Sequence, residues 1–351
     1  MLQKPSGRCY LDGSKASPEF PNQRVPCVNR TEKMFLENVR RQNLVVAGDS
    51  VLIAVSGGPD SMALLHLFMA ARPVLGCVIA AAHANFGLRG DESDGDERFV
   101  KEACRRLGIE CHVRRFDTRA VAASWKKSIE ETARIQRYGF FEEVCRESGY
   151  ARIATGHHIG DNAETMLFNL FRGTSTGGSR GIRAANGRLI RPLLPFGREA
   201  ILAYLEGNSI PWRTDGSNLD TVHDRNFIRH RVIPLIEERF SGKFMPALQR
   251  MSEHAGELEE FVERHVAGLV DKYPGLDLKG GKLHVVTLQK LTSFERKELL
   301  KRALQAQGAS VDSRVLQRLA DLLVRQPGRS VPVGSGVSVV RKDGFLVFVR
   351  E

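Results

Sequence analysis

A short polar loop between two apolar segments is the part of the sequence best suited to chemistry. It reads SGGPDS and follows the apolar run SVLIAV. Glycines allow a tight turn in which consecutive backbone N–H groups point at one anion, and a helix that starts there adds its positive end. The pattern is neither a Walker loop nor a dinucleotide fingerprint. We therefore predict a phosphate-binding loop made of Ser56, Gly57, Gly58, Pro59, Asp60 and Ser61.

Asp60 is the unexpected member of this loop, because a carboxylate repels phosphate unless a cation lies between them. The sequence therefore predicts Mg²⁺ at Asp60, bridging to the phosphate oxygens of a bound nucleotide. The alternative is a plain strand–helix turn in which Asp60 only caps the helix.

Two basic clusters follow the loop. In the segment HANFGLR, His83 and Arg89 are predicted to lie near the edge of the nucleotide, unless this is only a strand end with a solvated arginine. Further on, Arg134, Arg137 and Tyr138 share one helix face by their spacing. Arginines placed in this way clamp phosphate or a developing negative charge, whereas the alternative is a solvated basic face.

An acidic cluster lies in the segment TGHHIGDNAET. Asp161 and Glu164 are one helical turn apart on one face, and His157 precedes them in a turn. Carboxylates placed in this way can bind a cation or exchange a proton. A zinc site is the alternative, although no further Cys or His stands at ligand spacing. For His158 the alternative is a buried histidine that only makes hydrogen bonds within the core.

Three later segments add basic and polar groups, namely RPLL at 191–194, TDGSN at 214–218 and DRNFIR at 224–229. Arg225 and Arg229 lie one helical turn apart, which suits contact with RNA phosphates or a base. Taken alone, the last segment is an ordinary surface helix start.

Alternating short apolar strands and amphipathic helices must position these groups, and they predict an α/β fold with a doubly wound, mostly parallel sheet. Ligands bind beyond the carboxyl ends of such strands, where the polar segments lie. The predicted strands are Ser50–Val55, Val74–Ala82, Glu110–Arg114 and Ala151–Ala154, and the helices are Met62–Met69, Glu92–Leu107, Ile129–Cys145, Asp161–Phe171 and Glu199–Glu206.

We predict three regions: a flexible N-terminal extension at 1–30, a catalytic domain at 31–240, and a helical connector with a small α+β C-terminal domain at 241–351. An apolar stripe of Leu248, Met251, Leu258 and Phe261 is predicted to serve packing on the connector. The predicted C-terminal elements are helices Ser293–Gln305 and Ser313–Val324, strands Val331–Val333, Val337–Val340 and Phe345–Val349, and a hairpin turn at Lys342–Gly344.

Composition narrows the classes of protein. The net charge of +11 over 351 residues favours a polyanionic partner, nucleic acid first, although solubility alone is the alternative. The six cysteines form no CxxC pair, which argues against an iron–sulfur or thiol-relay enzyme and fits reduced thiols in the cytoplasm. No apolar run reaches the length of a membrane span, so no membrane partner is expected.

SGGPDS resembles the loop of the ATP pyrophosphatases, which cleave ATP between the α and β phosphates and adenylate a substrate oxygen. The resemblance implies pyrophosphate held by Ser56–Ser61 and adenine held by the backbone of Ile53, Ala54 and Val55. The remaining motifs, in order over residues 31–240, are similar to those of the tRNA(Ile)-lysidine synthetase family. The chain departs from that pattern at Phe86, Gly160, Asn162 and Thr214, where the family has His, Asp, Gln and an acid.

The family resemblance implies a substrate, tRNA(Ile) with a CAU anticodon. ATP adenylates the oxygen at carbon 2 of the wobble cytidine, and free L-lysine then attacks that carbon through its ε-amine and expels AMP. By resemblance, Arg134, Arg137 and Arg229 act on phosphates and the leaving group, and His157, Asp161 and Glu164 act on lysine and metal. The C-terminal domain is expected to bind tRNA.

Three alternatives remain at this point. A tRNA thiolase of the same fold needs a cysteine relay that the spacing does not offer, and an amidotransferase-type synthetase needs a glutaminase domain that is not visible. A non-catalytic RNA-binding protein on a degenerate nucleotide fold is the third. The sequence does not fix the oligomeric state, and a homodimer stays open.

Overall fold

The computed structural model describes residues 29–173, 176–214, 224–240, 242–309 and 311–350. Residues 1–28 of the predicted extension and 215–218 of the TDGSN segment lie outside this described part. In chain order the elements are α1 (Arg30–Arg41), β1 (Ser50–Ala54), α2 (Pro59–Leu75), β2 (Val78–Asn85), α3 (Asp91–Leu107), β3 (Cys111–Arg115), α4 (Thr118–Trp125), α5 (Ile129–Ser148), β4 (Arg152–Ala154), α6 (Ile159–Phe171), α7 (Thr176–Ser179), β5 (Ala185–Asn186), β6 (Leu189–Ile190), α8 (Arg198–Gly207), α9 (Asp224–Phe227), a π-helical turn (Ile228–Val232), α10 (Ile233–Phe240), α11 (Phe244–Lys272), β7 (Leu276–Asp277), β8 (Lys282–His284), α12 (Val285–Lys290), α13 (Ser293–Ala306), α14 (Ser313–Leu322), β9 (Ser330–Gly334), β10 (Val337–Lys342) and β11 (Phe345–Arg350).

The chain divides into two units. The first comprises Met1–Gly156, Gly187–Leu193 and Glu199–Arg213, and the second comprises His157–Asn186, Leu194–Arg198 and Thr214–Glu351. Each unit has its own sheet, so each is described by itself.

The first unit is built on parallel strands in the order β3-β2-β1-β4-β6. The chain moves outward from β1 in one direction through β2 and β3, and then returns to the other side of β1 with β4. Strand order therefore reverses around β1, and a crevice for ligands is expected at the carboxyl ends there. The predicted α/β class with a doubly wound, mostly parallel sheet is confirmed.

Strand β1 lies in the core of this unit because both of its faces are covered. Its central residues Val51, Leu52 and Ile53 are fully buried. Leu52 shares one cluster with Phe140 and Phe141 of α5. Such continuous burial explains why the strand reads as an unbroken apolar run rather than an alternating one.

The second unit contains an antiparallel sheet in the order β7-β8-β11-β10-β9. Leu299 and Leu304 of α13, Leu319 of α14 and Leu346 of β11 belong to one buried cluster with this sheet. The predicted small α+β region near the C-terminus is confirmed. Elements β7, β8 and α12 were not predicted, because each is too short to show a period.

The predicted start of the second strand is wrong. Val74 and Leu75 belong to the last turn of α2, and β2 begins only at Val78. The apolar run continues across the boundary, so composition does not show the end of the helix. Gly76 marks it instead, because its N–H donates to the carbonyl of Arg72.

The predicted packing stripe on the connector is also wrong. Met251, Leu258 and Phe261 are 45%, 46% and 60% exposed. Helix α11 buries instead a side that includes Val262, Val266 and Leu269, which pack into the core of the second unit. Among the described residues, no helix is long and apolar enough to cross a bilayer.

The turn between β10 and β11 is confirmed as a hairpin, with Asp343 and Gly344 at φ +50° and +78°. We predict that Gly344→Val lowers the free energy of unfolding by about 1–2 kcal/mol, because an L side chain is strained in this region. Gly268→Ala in α11 is the control, since its Cβ would meet open space. It should stabilise by about 0.5–1 kcal/mol. Urea denaturation measures the free energy of unfolding of both variants. Equal changes in the two variants would contradict the assignment of Gly344 to a turn that requires positive φ.

Candidate active site

The SGGPDS loop connects β1 to the first turn of α2, with Gly57 at φ +97° and Pro59 as the first helical residue. The hydroxyl of Ser61 holds the loop together. Its oxygen accepts from the N–H groups of Ser56 and Gly57 at 3.1 and 3.2 Å and donates to the carbonyl of Gly58 at 2.9 Å. The donors that we expected to face a phosphate are thus gathered around one oxygen, at the positive end of α2.

Asp60 is the second residue of α2, and its Oδ1 atom is buried. The backbone that leaves β4 passes directly against it. A Cβ on Gly156 would lie 3.1 Å from the carbonyl carbon and oxygen of Asp60 and 3.2 Å from the nitrogen of Ser61. Gly156 is therefore required by this close approach, a role that the TGHH motif did not reveal.

The donor set at this loop is compatible with Mg²⁺, which is commonly bound by one or two carboxylates together with substrate phosphates. Asp60 offers hard oxygen ligands beside a loop of backbone amides. Within the described residues, no group of three or more His, Cys, Asp or Glu side chains is arranged as a metal site. Phosphate oxygens would thus have to complete the coordination.

His83 lies at the end of β2 and is 3% exposed. Its Nδ1 is 2.8 Å from the carbonyl oxygen of Val55. Burial lowers the pKa of His83, so the neutral ring donates this hydrogen bond. His83 thus fixes the end of β1 from within the core, while a direct contact with a nucleotide stays a prediction. Ile53 and Val55 are buried and Ala54 is half-buried, so only their backbone suits the predicted adenine contact.

The loop after β2 is held by a buried acidic network. The Asn85 amide donates to Glu97 at 3.0 Å, and its oxygen accepts from the N–H of Gly87 at 3.0 Å. Glu97 is 3% exposed and also accepts from Arg115 at 2.7 Å and Lys101 at 2.6 Å. Burial raises the pKa of Glu97, but these hydrogen bonds prevail and lower it to about 2.

Arg89 makes a hydrogen-bonded ion pair with Asp96 of α3, at 2.7 Å. Asp96 also pairs with Arg213, whose backbone N–H donates to the carbonyl of Gly57 at 2.9 Å. One carboxylate thus links the HANFGLR segment to Arg213, whose backbone is hydrogen-bonded to the phosphate loop. Arg213 was missed because nothing in its local sequence distinguishes it from a solvated arginine.

The arginines of α5 are held on aromatic rings. Arg137 lies over Phe86 with its guanidinium carbon 5.2 Å from the ring centre, and Arg134 lies 5.6 Å from the centre of the Tyr138 ring. Phe86 is itself stacked on Phe116 at 5.7 Å. Burial lowers the pKa of Arg137, and the charge of Arg134 lowers it further. Phe86, which stands where the family has His, therefore provides an apolar support for a cation.

In the second unit, Arg229 joins the two carboxylates predicted to share a face. Its Nη2 is 3.0 Å from both Asp161 Oδ1 and Glu164 Oε2, and its Nε also donates to Glu164. Burial raises the pKa of Glu164, and Arg229 opposes that shift. Arg229 lies in the π-helical turn, a rare feature that is common at functional sites. Arg229 is occupied by these two carboxylates, and its predicted contact with phosphate stays a prediction.

His158 caps the helix that carries these carboxylates. Its ring Nδ1 accepts from the backbone N–H of Gly160 at 2.9 Å, and the backbone N–H of His158 donates to the Asp161 carboxylate at 2.9 Å. A Cβ on Gly160 would lie 2.6 Å from the His158 ring, so this ring position depends on the glycine. The interpretation of His158 as a satisfied core residue is confirmed. His157 is half-buried.

Asn162 has a structural role, although it stands where the family has Gln. Its side-chain oxygen accepts from the N–H of Ile182 at 2.6 Å, and its amide donates to Ser252 of α11 at 3.2 Å. Asn162 therefore fastens the chain after α7 to the helix of the two carboxylates.

The order of the parallel strands and the glycine-rich loop after β1 are those of an α/β nucleotide-binding protein. Residues 28–236 match the family model described as a PP-loop domain. The chain is 64% identical over 321 residues to the tRNA(Ile)-lysidine synthase of Chlorobaculum tepidum, which covers 92% of this chain and 97% of the relative. It is 32% identical over 323 residues to that of Clostridium perfringens, with 90% and 68% covered. The chain therefore belongs to the tRNA(Ile)-lysidine synthase family of PP-loop proteins.

A solved structure supports the fold alone. The U34-tRNA thiolase NcsA from Methanococcus maripaludis, with its [4Fe-4S] cluster, aligns with a TM-score of 0.51 at 18% identity, over 63% of this chain and 77% of that one. Within the described residues, Cys77, Cys104, Cys111 and Cys145 are free thiols, and none belongs to a metal-ligand cluster.

The Glu97 network generates a prediction about pH. The folded-state pKa of about 2 lies below the ordinary value of 4.5, so the stabilisation by the carboxylate is complete above pH 4.5 and is lost as the pH falls towards 2. Glu97→Gln should therefore lower the urea midpoint at pH 7, with a difference from wild type that narrows between pH 5 and pH 3. A difference independent of pH would contradict the network.

The Phe86 support generates a second prediction. Phe86→Leu removes the aromatic face, so the rate constant for nucleotide cleavage should fall about threefold to tenfold while the KM for tRNA stays constant. Phe86→Tyr should retain the rate. Phe140→Leu is the matched control, because Arg114 lies 4.7 Å over that ring with no predicted role in the reaction. It should lower stability only, and an unchanged rate in Phe86→Leu would refute the support.

Proposed function

We propose that the chain ligates L-lysine to carbon 2 of the wobble cytidine of tRNA(Ile) with a CAU anticodon, converting ATP to AMP and pyrophosphate. One observation carries the proposal: 64% identity to a tRNA(Ile)-lysidine synthase over nearly the whole of both chains. The phosphate loop and the carboxylate pair of the predicted reaction both stand in the chain.

ATP is held by the loop at the end of β1. In the free protein the amides of Ser56 and Gly57 donate to the hydroxyl oxygen of Ser61. When ATP binds, they donate to the β and γ phosphates instead. Asp60 would hold Mg²⁺ there, which supplies positive charge against the phosphate oxygens. We place adenine against the backbone of Ile53–Val55, and we place Arg89, which pairs with Asp96, near the nucleotide edge.

In the first step the oxygen at carbon 2 of the cytidine attacks the α phosphate, and pyrophosphate leaves. Negative charge develops on the phosphate during this transfer, and Arg134 and Arg137 lie on one helix as cations to meet it. Their aromatic supports restrict both guanidinium groups before the nucleotide binds, which lowers the entropic cost of the contact.

In the second step lysine attacks carbon 2 and AMP leaves. Asp161 and Glu164 together carry one negative charge more than Arg229 neutralises, and this excess suits an ammonium group. The ε-amine must lose a proton before it attacks. Glu164 is suited to accept it, because its burial raises the affinity of the carboxylate for a proton. We place His157 beside the same substrate and Arg229 on the leaving phosphate once lysine displaces it.

The partner tRNA presents the target base in a single-stranded loop, where a base can leave its neighbours. The net charge of +11 supplies affinity that is independent of sequence and weakens with salt. We propose that the C-terminal α+β module adds tRNA contacts, since Arg314, Arg325 and Arg329 are exposed on it. A cytoplasmic location and a homodimeric state stay predictions.

Asp60→Asn tests the proposal. We expect pyrophosphate release in the presence of tRNA(Ile) transcript, ATP and lysine to fall at least about a hundredfold, because the metal loses its protein ligand. Affinity for tRNA should not change. Asp91→Asn is the matched control, since Asp91, like Asp60, lies in the first turn of a helix with a glycine N-cap and should keep full activity.

Mass spectrometry of the tRNA product decides among the alternatives. Addition of lysine supports the proposal, addition of sulfur would assign a thiolase, and tRNA binding without nucleotide consumption would assign a non-catalytic RNA-binding protein. Full activity of Asp60→Asn would contradict the proposal that Asp60 holds a Mg²⁺ ion that the reaction needs.

A further inference from the structure

Two arginines of the second unit lie over one phenylalanine ring. The guanidinium carbons of Arg172 and Arg225 are 5.1 and 5.3 Å from the centre of the Phe168 ring. Arg172 follows the last turn of α6, and Arg225 lies in α9, which packs against α6. Within the described part of the chain, neither guanidinium pairs with a carboxylate. The guanidinium groups of Arg172 and Arg225 are thus positioned by contact with an aromatic ring and not by an ion pair.

Two exposed aromatic residues are close to these arginines in the chain, Phe171 directly before Arg172 and Phe227 two residues after Arg225. Phe171 and Phe227 are 64% and 51% exposed. Large exposed rings beside unneutralised cations are costly for a surface that contacts only water, and they are typical of binding sites. We call Phe168, Phe171, Arg172, Arg225 and Phe227 the Phe168 face.

The Phe168 face adjoins the carboxylate cluster along both of its helices. Phe168 follows Glu164 by four residues on α6, and Arg225 precedes Arg229 by four residues. Glu164 and Phe168 of α6 therefore contact Arg229 and Arg225, respectively, one helical turn apart. The two contacts are neighbours along the same pair of segments. A ligand that reaches Glu164 has the Phe168 face as its next contact.

The charge and the aromatic character of the face favour single-stranded RNA as its occupant. Phosphates pair with arginine, and unstacked bases stack on aromatic rings and on guanidinium planes. A second copy of this chain suits the face poorly, because it also carries an excess of positive charge, +11.

We propose that the Phe168 face binds unpaired nucleotides of the tRNA that adjoin the modified base, by stacking on exposed rings and by two phosphate contacts. This inference rests on the proposed function and deepens it. The arginines supply affinity that depends on salt, and the rings supply affinity that does not. The two parts are therefore separable by experiment.

The first test is the affinity of the full chain for tRNA(Ile) transcript, measured by filter binding over a range of salt concentrations. Arg172→Gln with Arg225→Gln should weaken binding about tenfold and reduce the slope of log affinity against log salt by about 1.4, for two contacts to a single strand. The control is Arg105→Gln with Arg106→Gln. It removes the same charge from α3, where both arginines already pair with Glu102, and should change little.

The second test addresses stacking. Phe171→Leu with Phe227→Leu keeps the apolar surface but removes the ring faces, and should weaken binding about fivefold without changing the salt slope. Tyr at both positions should restore the affinity. Arg172→Lys with Arg225→Lys should retain the slope but lose part of the affinity, because an ammonium group does not stack as a guanidinium plane does.

Unchanged affinity and slope in the Gln pair would overturn the proposal. Unchanged tRNA affinity in the Leu pair, together with a shift in oligomeric state by sedimentation, would assign the face to a second copy and also overturn it. Failure of wild type to release pyrophosphate with lysine would refute the proposed function separately, because tRNA binding is measured without turnover.

Discussion

The carboxyl ends of β1, β2 and β4 meet at one edge of the first unit, and the phosphate and adenine contacts that we propose for the loop and for β1 depend on this convergence. The loop of Ser56–Ser61 leaves β1, and the backbone after β4 passes so close to Asp60 that a Cβ on Gly156 would lie 3.1 Å from its carbonyl group. His83 at the end of β2 bonds to the carbonyl of Val55 from within the core. These contacts use backbone atoms and buried hydrogen bonds, so the edge keeps its form without help from exposed side chains. Rigid supports of this kind are what precise placement of phosphate requires.

Two departures from the family pattern, Phe86 and Gly160, are accommodated by neighbouring side chains. Phe86 cannot act as an imidazole, but its ring supports Arg137 and stacks on Phe116. Gly160 leaves space for the ring of His158, which caps α6 in turn. A change of residue type in a motif is therefore best interpreted together with its spatial neighbours. Those neighbours show what the new residue does in the structure.

The sequence was sufficient for the fold class, because buried strands and glycine turns carry strong local signals. The same holds for Asp161 and Glu164, whose spacing places them on one face of a helix. It was insufficient for Arg213 and Asp96, which meet only after the sheet has formed. It also misled for Met251 and Phe261, because helical periodicity shows that a stripe exists but not whether anything covers it. The order of strands and the partner of Arg229 likewise depend on contacts between distant segments.

The π-helical turn at Ile228–Val232 has a consequence for how such a site changes over evolutionary time. A turn of this kind holds one residue more than the regular helix around it, as if a single codon had been inserted into an existing helix. Loss of that residue would rotate everything before it by about 100° relative to α10. Arg225 and Arg229 would then turn together away from α6. A single-residue deletion would therefore be more damaging here than most replacements of side chains, and this stretch should be among the parts of the chain least tolerant of changes in length.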